Sequence, residues 1–412
     1  MPRFPLQTPR FSLPNRQPLR GRFARVALAS AAAAAVLPTA RTTSAEPAGR
    51  PAVATTTTAA GPATRGSDLD GDWAVMRGIE PRGYLCGRAP SPVTIDGRGD
   101  EPAWAAAAWT EDFADIQGVV GRPAPRLRTR VKMLWDDDAM YVLAELEEPD
   151  VWASITKRNT AIYLDNAFEV FLDPDGDRQN YYEFEVNALN TTWQLSLSKP
   201  YRDGGKPTDP AELPGLRSAV HVDGTLNAPA GGPDRGWSVE VAMPWAALRP
   251  YAGGRPCPPA DGQQWRANFS RVQWGLEVVD GAYRKVPREV RPAAFSMWSP
   301  IGVVDTHRPE RWGTIQFSAS PATATFRPDP LRPARDAVMG AYYRQRAFKQ
   351  AAGGYARSAA ELGLDDPAAG GLAVPVEVIA ADGGYTAAAR VSLPDGTARI
   401  VRLRDGSRLT EE

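Results

Sequence analysis

The sequence predicts an all-β domain, an antiparallel β-sandwich of the immunoglobulin-like or jelly-roll type, with a small α+β appendage at its C-terminal end. Two observations carry this. Apolar residues alternate at period two in eight or more segments set at hairpin spacing. The stretches between them are short turns rich in Pro, Gly and Asp, with room only for single helical turns. The 412 residues suffice for one large or two modest domains with a core that needs no metal or disulfide staple.

Basic and acidic residues balance at 48 each, which leaves no electrostatic footprint for nucleic acid or an anionic membrane. The 2 cysteines, Cys86 and Cys257, could pair if the chain reaches an oxidising space, and neither stands in a metal-ligand spacing. With only His221 and His307, a His-rich zinc site is excluded.

Residues 1–25 carry six Arg and no acid and precede the apolar run Val26 to Leu37. This is the order of an export signal, too short to span a bilayer, so residues 1–45 are expected to be a signal peptide and the protein secreted or periplasmic. An organelle transit peptide is the competing reading. Residues 46–80, dominated by Ala, Thr, Pro and Gly, are expected to be a disordered linker. The sandwich is placed at residues 81–318. After the entry segment Pro81–Cys86, Asp100 can cap a helical turn that drops Trp104 towards the core. Arg126–Leu134 and Met140–Glu147 form a hairpin around Asp136, Asp137 and Asp138, which read as turn formers.

The central element is the hairpin from Tyr163 to Leu195. Phe168, Val170 and Leu172 alternate in its first arm, with Glu169 on the opposite face; in the second arm Tyr182, Phe184 and Val186 oppose Tyr181, Glu183, Glu185 and Asn187. Asp173, Pro174, Asp175, Gly176 and Asp177 supply the turn. A polar loop then runs from Lys199 to Pro214. His221–Leu226 and Trp237–Met243 form a further pair, Pro244–Leu248 a helical turn, and Gln264–Gln273 and Thr314–Phe317 the remaining strands. Residues 319–333 read as a Pro-rich linker. Residues 334–412 read as an α+β region with helices at Arg335–Gln350 and Tyr355–Leu362 and strands at Val374–Ile379, Tyr385–Leu393 and Ala398–Leu403.

The order Ile95-Asp96-Gly97, Trp104, Leu134-Trp135-Asp136 with Tyr141-Val142, Phe168 to Phe171, Tyr181 to Asn187, Gly236 to Glu240, Trp298-Ser299-Pro300 and Arg311-Trp312-Gly313 resembles carbohydrate-binding module family 9 and its family-9-like relatives. The resemblance implies a secreted, non-catalytic β-sandwich that binds plant-type polysaccharide such as xylan or cellulose, beside enzymes of carbohydrate catabolism. Carried over by local alignment, Tyr163 falls at one aromatic platform, and Glu169, Glu185 and Asn187 fall at polar ligand positions. A pyranose suits such a face, since its C–H side stacks on rings and its hydroxyls pair with carboxylates and amides. The second platform should precede the last strand, where the chain has Val304 to Pro309 and no Trp; His307, Trp298 or Trp193 are the candidates to replace it. Glu185 stands where sugar binders of the family can carry Arg.

Three other chemistries are open to the sequence. Asp173, Asp175 and Asp177 are spaced like the start of a calcium loop, but its twelfth position holds Phe184, so no cofactor is expected beyond a looser calcium site. Glu183 and Glu185, same-face neighbours roughly 6.5–7 Å apart along a strand, fit the spacing of an inverting glycosidase. Met133, Met243, His221 and His307 are the candidates for an axial haem ligand, and a protein-interaction module is the last alternative.

Overall fold

The computed structural model describes residues 68–118, 120–381 and 383–412. The signal peptide and most of the linker expected at residues 1–80 lie outside them. The strands in chain order are β1 (Gly83–Arg88), β2 (Ala114–Asp115), β3 (Thr129–Trp135), β4 (Ala139–Glu147), β5 (Ala167–Asp173), β6 (Tyr181–Asn187), β7 (Thr192–Leu197), β8 (Pro207–Thr208), β9 (Arg217–Asp223), β10 (Gly236–Pro244), β11 (Gln264–Gln273), β12 (Leu276–Val279), β13 (Ala282–Lys285), β14 (Ala294–Met297) and β15 (Gly313–Ser318). Their hydrogen bonding is continuous in the order β8-β7-β6-β5-β11-β15-β1-β3-β4-β10-β9, with β14 and β2 branching from β11 and β12–β13 a separate hairpin.

This sheet folds over on itself into a β-sandwich. Phe168, Val170 and Leu172 of β5 and Tyr182, Phe184 and Val186 of β6 share one apolar core with Val131, Met133, Val142, Val239 and Val241 of the facing layer. Period two in the sequence therefore became the inner face of the sandwich, as expected. Trp104, Trp135, Trp237 and Trp312 are all buried. The sheet is not purely antiparallel: β1 runs parallel to both of its neighbours, β15 and β3. Both pairings join strands far apart along the chain, so no tight hairpin dictates their direction.

Local expectations resolve individually. Asp136 Oδ1 accepts from the backbone N–H of Asp138 and Ala139, the turn-forming role expected of it. The helical turn α2 (Pro102–Ala105) has Glu101, not Asp100, at its N-cap; Glu101 Oε1 instead accepts from Thr94 N–H. The turn after β10 forms as α3 (Trp245–Leu248). Cys86 and Cys257 are both free and buried, so the melting temperature is expected to be the same with and without reductant. A drop on reduction would mean that they pair.

The linker reading fails at its C-terminal end. Asp68–Met76 is a helix, α1, because Trp73 and Met76 are buried against the C-terminal region, with the Trp73 ring stacked on Tyr343 at 5.4 Å. That region comprises α4 (Arg332–Ala352) and a four-stranded sheet of β16 (Val376–Ala381), β17 (Gly384–Ser392), β18 (Ala398–Arg404) and β19 (Leu409–Glu411). The second helix expected at Tyr355–Leu362 is reduced to a 3-10 turn at Ala360–Leu362. Ala337, Val338, Met339, Tyr342 and Tyr343 of α4 pack in one cluster with Phe171, Tyr181, Leu195 and Leu197. The appendage therefore covers part of the outer face of the β5–β6–β7 layer.

Candidate functional site

The remainder of that outer face holds the candidate site. Register places Glu169 of β5 opposite Glu185 of β6, and Glu185 opposite Trp193 of β7; on the other side Glu169 pairs with Ser270 of β11. One row thus runs Trp193, Glu185, Glu169, Ser270 across four strands, and Glu183 lies in the next row between Phe171 and Leu195. A one-sided sheet would leave these positions to water. Here Glu169, Glu183 and Glu185 are 3%, 4% and 2% exposed, so the face is enclosed and the carboxyls are desolvated.

Burial pushes all three carboxyls upward. Glu169 rises to about 7, with the Ser270 hydroxyl drawing it partly back. Glu183 and Glu185 rise well above the carboxylate range, through burial first and then the charge on Glu169. These two lie within hydrogen-bonding reach of each other. Glu185 Oε2 accepts from Tyr163 N–H at 2.8 Å. Glu183 Oε2 and Ser270 Oγ are buried with no well-formed hydrogen bond.

Two aromatic pairs flank the carboxyls. Tyr163, in the 3-10 turn Ile162–Leu164, is half-buried and tilted against Trp193, with ring centroids 6.1 Å apart. The Trp193 indole N–H is fixed by Asp209 Oδ1 at 2.7 Å. On the other side Tyr201 meets His307 edge-on at 4.6 Å. His307 Nδ1 lies 3.0 Å from Tyr181 Oη, and its Nε2 lies 3.9 Å from Glu183 Oε2. Burial, assisted by Arg202, lowers the imidazole to about 4, so it is neutral at pH 7. The phenols of Tyr163 and Tyr201 are both raised, by burial and then by the site's glutamates, which ties the two walls to one set of charges.

The C-terminal appendage holds one wall of the site in place. Arg202, beside Tyr201, donates to Glu310 at 2.8 Å, to the His307 carbonyl at 3.3 Å and to Tyr342 Oη at 3.1 Å. Asp203 accepts from Tyr342 Oη at 2.5 Å and from Arg346 at 3.0 Å. Helix α4 thereby clamps the Tyr201–His307 wall.

The remaining predicted site residues are placed differently. Asn187 lies on the expected face, but its amide is engaged in the fold: Nδ2 donates to Ile155 O and Asp165 Oδ2, and Oδ1 accepts from Leu189 and Thr191 N–H. It holds the β6–β7 turn. Trp298 is a correction, being 1% exposed in the sandwich core beside Phe269. Its ring abuts residue 313 so closely that a Cβ there would come within 2.5 Å, which is why Gly stands at that position. Of the residues weighed for a haem site, Met133 and Met243 are core residues and His221 lies on β9 opposite Ser238. Oxygens of Asp173, Asp175 and Asp177 approach within 4.8 Å of one another, a set suited to a hard cation such as calcium; each also accepts from its own turn's backbone.

Residues 95–258, about two fifths of the chain, match the family model Carbohydrate family 9 binding domain-like. Over 165 residues the chain is 27% identical to Endo-1,4-beta-xylanase A of Thermotoga maritima, covering 39% of this chain and 13% of that protein. Exoglucanase XynX of Acetivibrio thermocellus is 26% identical over 117 residues, 28% of this chain and 9% of that protein. The chain thus spans about an eighth or less of the length of these relatives. Among solved structures, a carbohydrate binding module family 9 from Caldicellulosiruptor kristjanssonii in complex with cellotriose aligns with a TM-score of 0.37 and 19% identity, over 60% of this chain and 100% of that one.

Proposed function

We propose that this chain, a carbohydrate family 9 binding domain-like sandwich over residues 95–258, binds carbohydrate on the outer face of β5–β7 without cleaving it. The observation that carries the reading is the pairing of Tyr163–Trp193 and Tyr201–His307 on either side of three buried carboxyls. Rings stack on the C–H face of a pyranose, and buried acceptors with unsatisfied capacity take its hydroxyls. The xylanase and exoglucanase relatives support a β-1,4-linked plant polysaccharide as ligand. The basic-then-apolar start of the sequence supports export, where such a protein works beside polysaccharide-degrading enzymes.

Hydrolysis is disfavoured by geometry. Glycosidase carboxyls are separated by roughly 5–9.5 Å with the scissile bond between them, whereas Glu183 and Glu185 are close enough to share a hydrogen bond. No reducing sugar is expected from xylan or cellulose incubated with the purified protein. In calorimetric titration with xylo- and cello-oligosaccharides, Tyr163→Ala and Trp193→Ala are each expected to weaken binding roughly tenfold. Unchanged affinity in both variants would remove these rings from the site.

A further inference from the structure

We infer that the sugar recognised on this face carries a positively charged amino group. The inference rests on the carbohydrate reading above and adds the charge class of the ligand. Three carboxyls, Glu169, Glu183 and Glu185, sit side by side and almost wholly buried. Among the described residues no Lys or Arg forms an ion pair with any of them, and the neighbouring His307 is neutral at pH 7. Arg202, which donates to the His307 carbonyl, is committed to Glu310 and Tyr342. A buried carboxylate without a counter-charge is costly and is normally paired or metal-bound.

The orphaned atoms point to a partner outside the fold. Glu183 Oε2 is buried without a well-formed hydrogen bond, and Ser270 Oγ, on a different strand, has none either and only its loose contact with Glu169. Such orphans in a native site call for a partner. The three glutamates are not a convergent metal set: among the described residues the acidic triplets whose oxygens converge within 4.8 Å are Asp96, Glu101 and Glu240, and Asp173, Asp175 and Asp177. An ammonium on a pyranose ring supplies three donors and one positive charge, while its ring lies against Tyr163 and Trp193. A neutral sugar supplies hydroxyls but no positive charge to draw these acids, which burial disfavours as anions, into their ionised form.

Titration calorimetry of the full chain at pH 7 with three β-1,4-linked disaccharides tests this: the glucosamine dimer, cellobiose and the N-acetylated glucosamine dimer. They share the backbone and differ in the substituent. The glucosamine dimer is expected to bind about tenfold more tightly than either neutral dimer, the scale of one charge-assisted hydrogen bond. In Glu183→Gln the ratio of its affinity to that of cellobiose is expected to fall towards one. Cellobiose binding as tightly as the amino dimer overturns this inference and leaves the carbohydrate reading standing, whereas no binding by any of the three overturns both. A preference that persists in full in Glu183→Gln removes the glutamates as its source. Should that variant not fold, the comparison of the glucosamine dimer with its N-acetylated form in the unmodified protein decides the matter alone.

Discussion

Glu169→Gln is expected to stabilise the unliganded protein by on the order of 3 kcal/mol at pH 8 and to change little at pH 4. An unfolded glutamate titrates near 4.5, and in the fold Glu169 is raised to about 7, chiefly by burial. Between these values the folded state holds a proton that the unfolded state has released. Stability contributed by the group is therefore fully present below about 4.5 and falls as pH rises towards 7. A shift from 4.5 to about 7 corresponds, at about 1.4 kcal/mol per unit, to the stated magnitude. Glu169 ionises first, and its charge then raises the pKa of Glu183 and Glu185, so the amide relieves all three positions. Urea unfolding at pH 4, 6 and 8 reads the effect. A protein that grows more stable from pH 5 to 8, or a Gln variant shifted equally at every pH, would show that these carboxyls are not strained by burial. The same substitution removes a candidate ligand acceptor, so stability gained would come with affinity lost, the relation expected where a site is organised for a partner rather than for the fold.

How much of this was legible in the sequence depends on which physical signal each element leaves. The two faces of the β5–β6 hairpin followed from period two alone, and every inward residue from Phe168 to Val186 took its predicted side. What alternation cannot encode is whether an outer face meets water. Glu183 and Glu185 have the pattern of a solvated strand and are buried, with the loops carrying Tyr201 and His307 set against them, His307 from more than a hundred residues away along the chain. Trp193 and Trp298 were equivalent as candidates on paper. Cross-strand register separates them, placing Trp193 beside Glu185, while Trp298 leaves β14 towards the core. Helix α1 was hidden for a related reason: its support comes from tertiary packing of Trp73 on Tyr343, not from local propensity in a Gly-interrupted segment.

Arg271→Ala is expected to destabilise the protein by about 3–5 kcal/mol, because it leaves Glu148 as an unpaired buried charge. The two residues are each 2% exposed and their side chains meet at 2.7 Å, Arg271 projecting from β11 and Glu148 standing just beyond β4, so the pair ties the two layers of the sandwich. Arg271 also donates to Thr129 Oγ1 at 3.1 Å and twice to Gln273 Oε1, and Glu148 accepts from Asn166 at 3.3 Å. Even so, Glu148 is raised and Arg271 lowered, in both cases with burial as the largest cause. The mutual attraction therefore does not fully offset the desolvation of the two ions. From this it follows that Arg271→Met combined with Glu148→Leu costs far less than the sum of the single changes. The pair lines a cavity of about 420 Å³ with Trp274 and Asp150, which gives the Met and Leu side chains space to settle. A double-mutant cycle by urea unfolding measures this. A coupling energy below about 0.5 kcal/mol would mean that the ions act separately, and a double variant as unstable as both single changes added together would place the stabilisation in Thr129, Gln273 and Asn166 rather than in the ion pair.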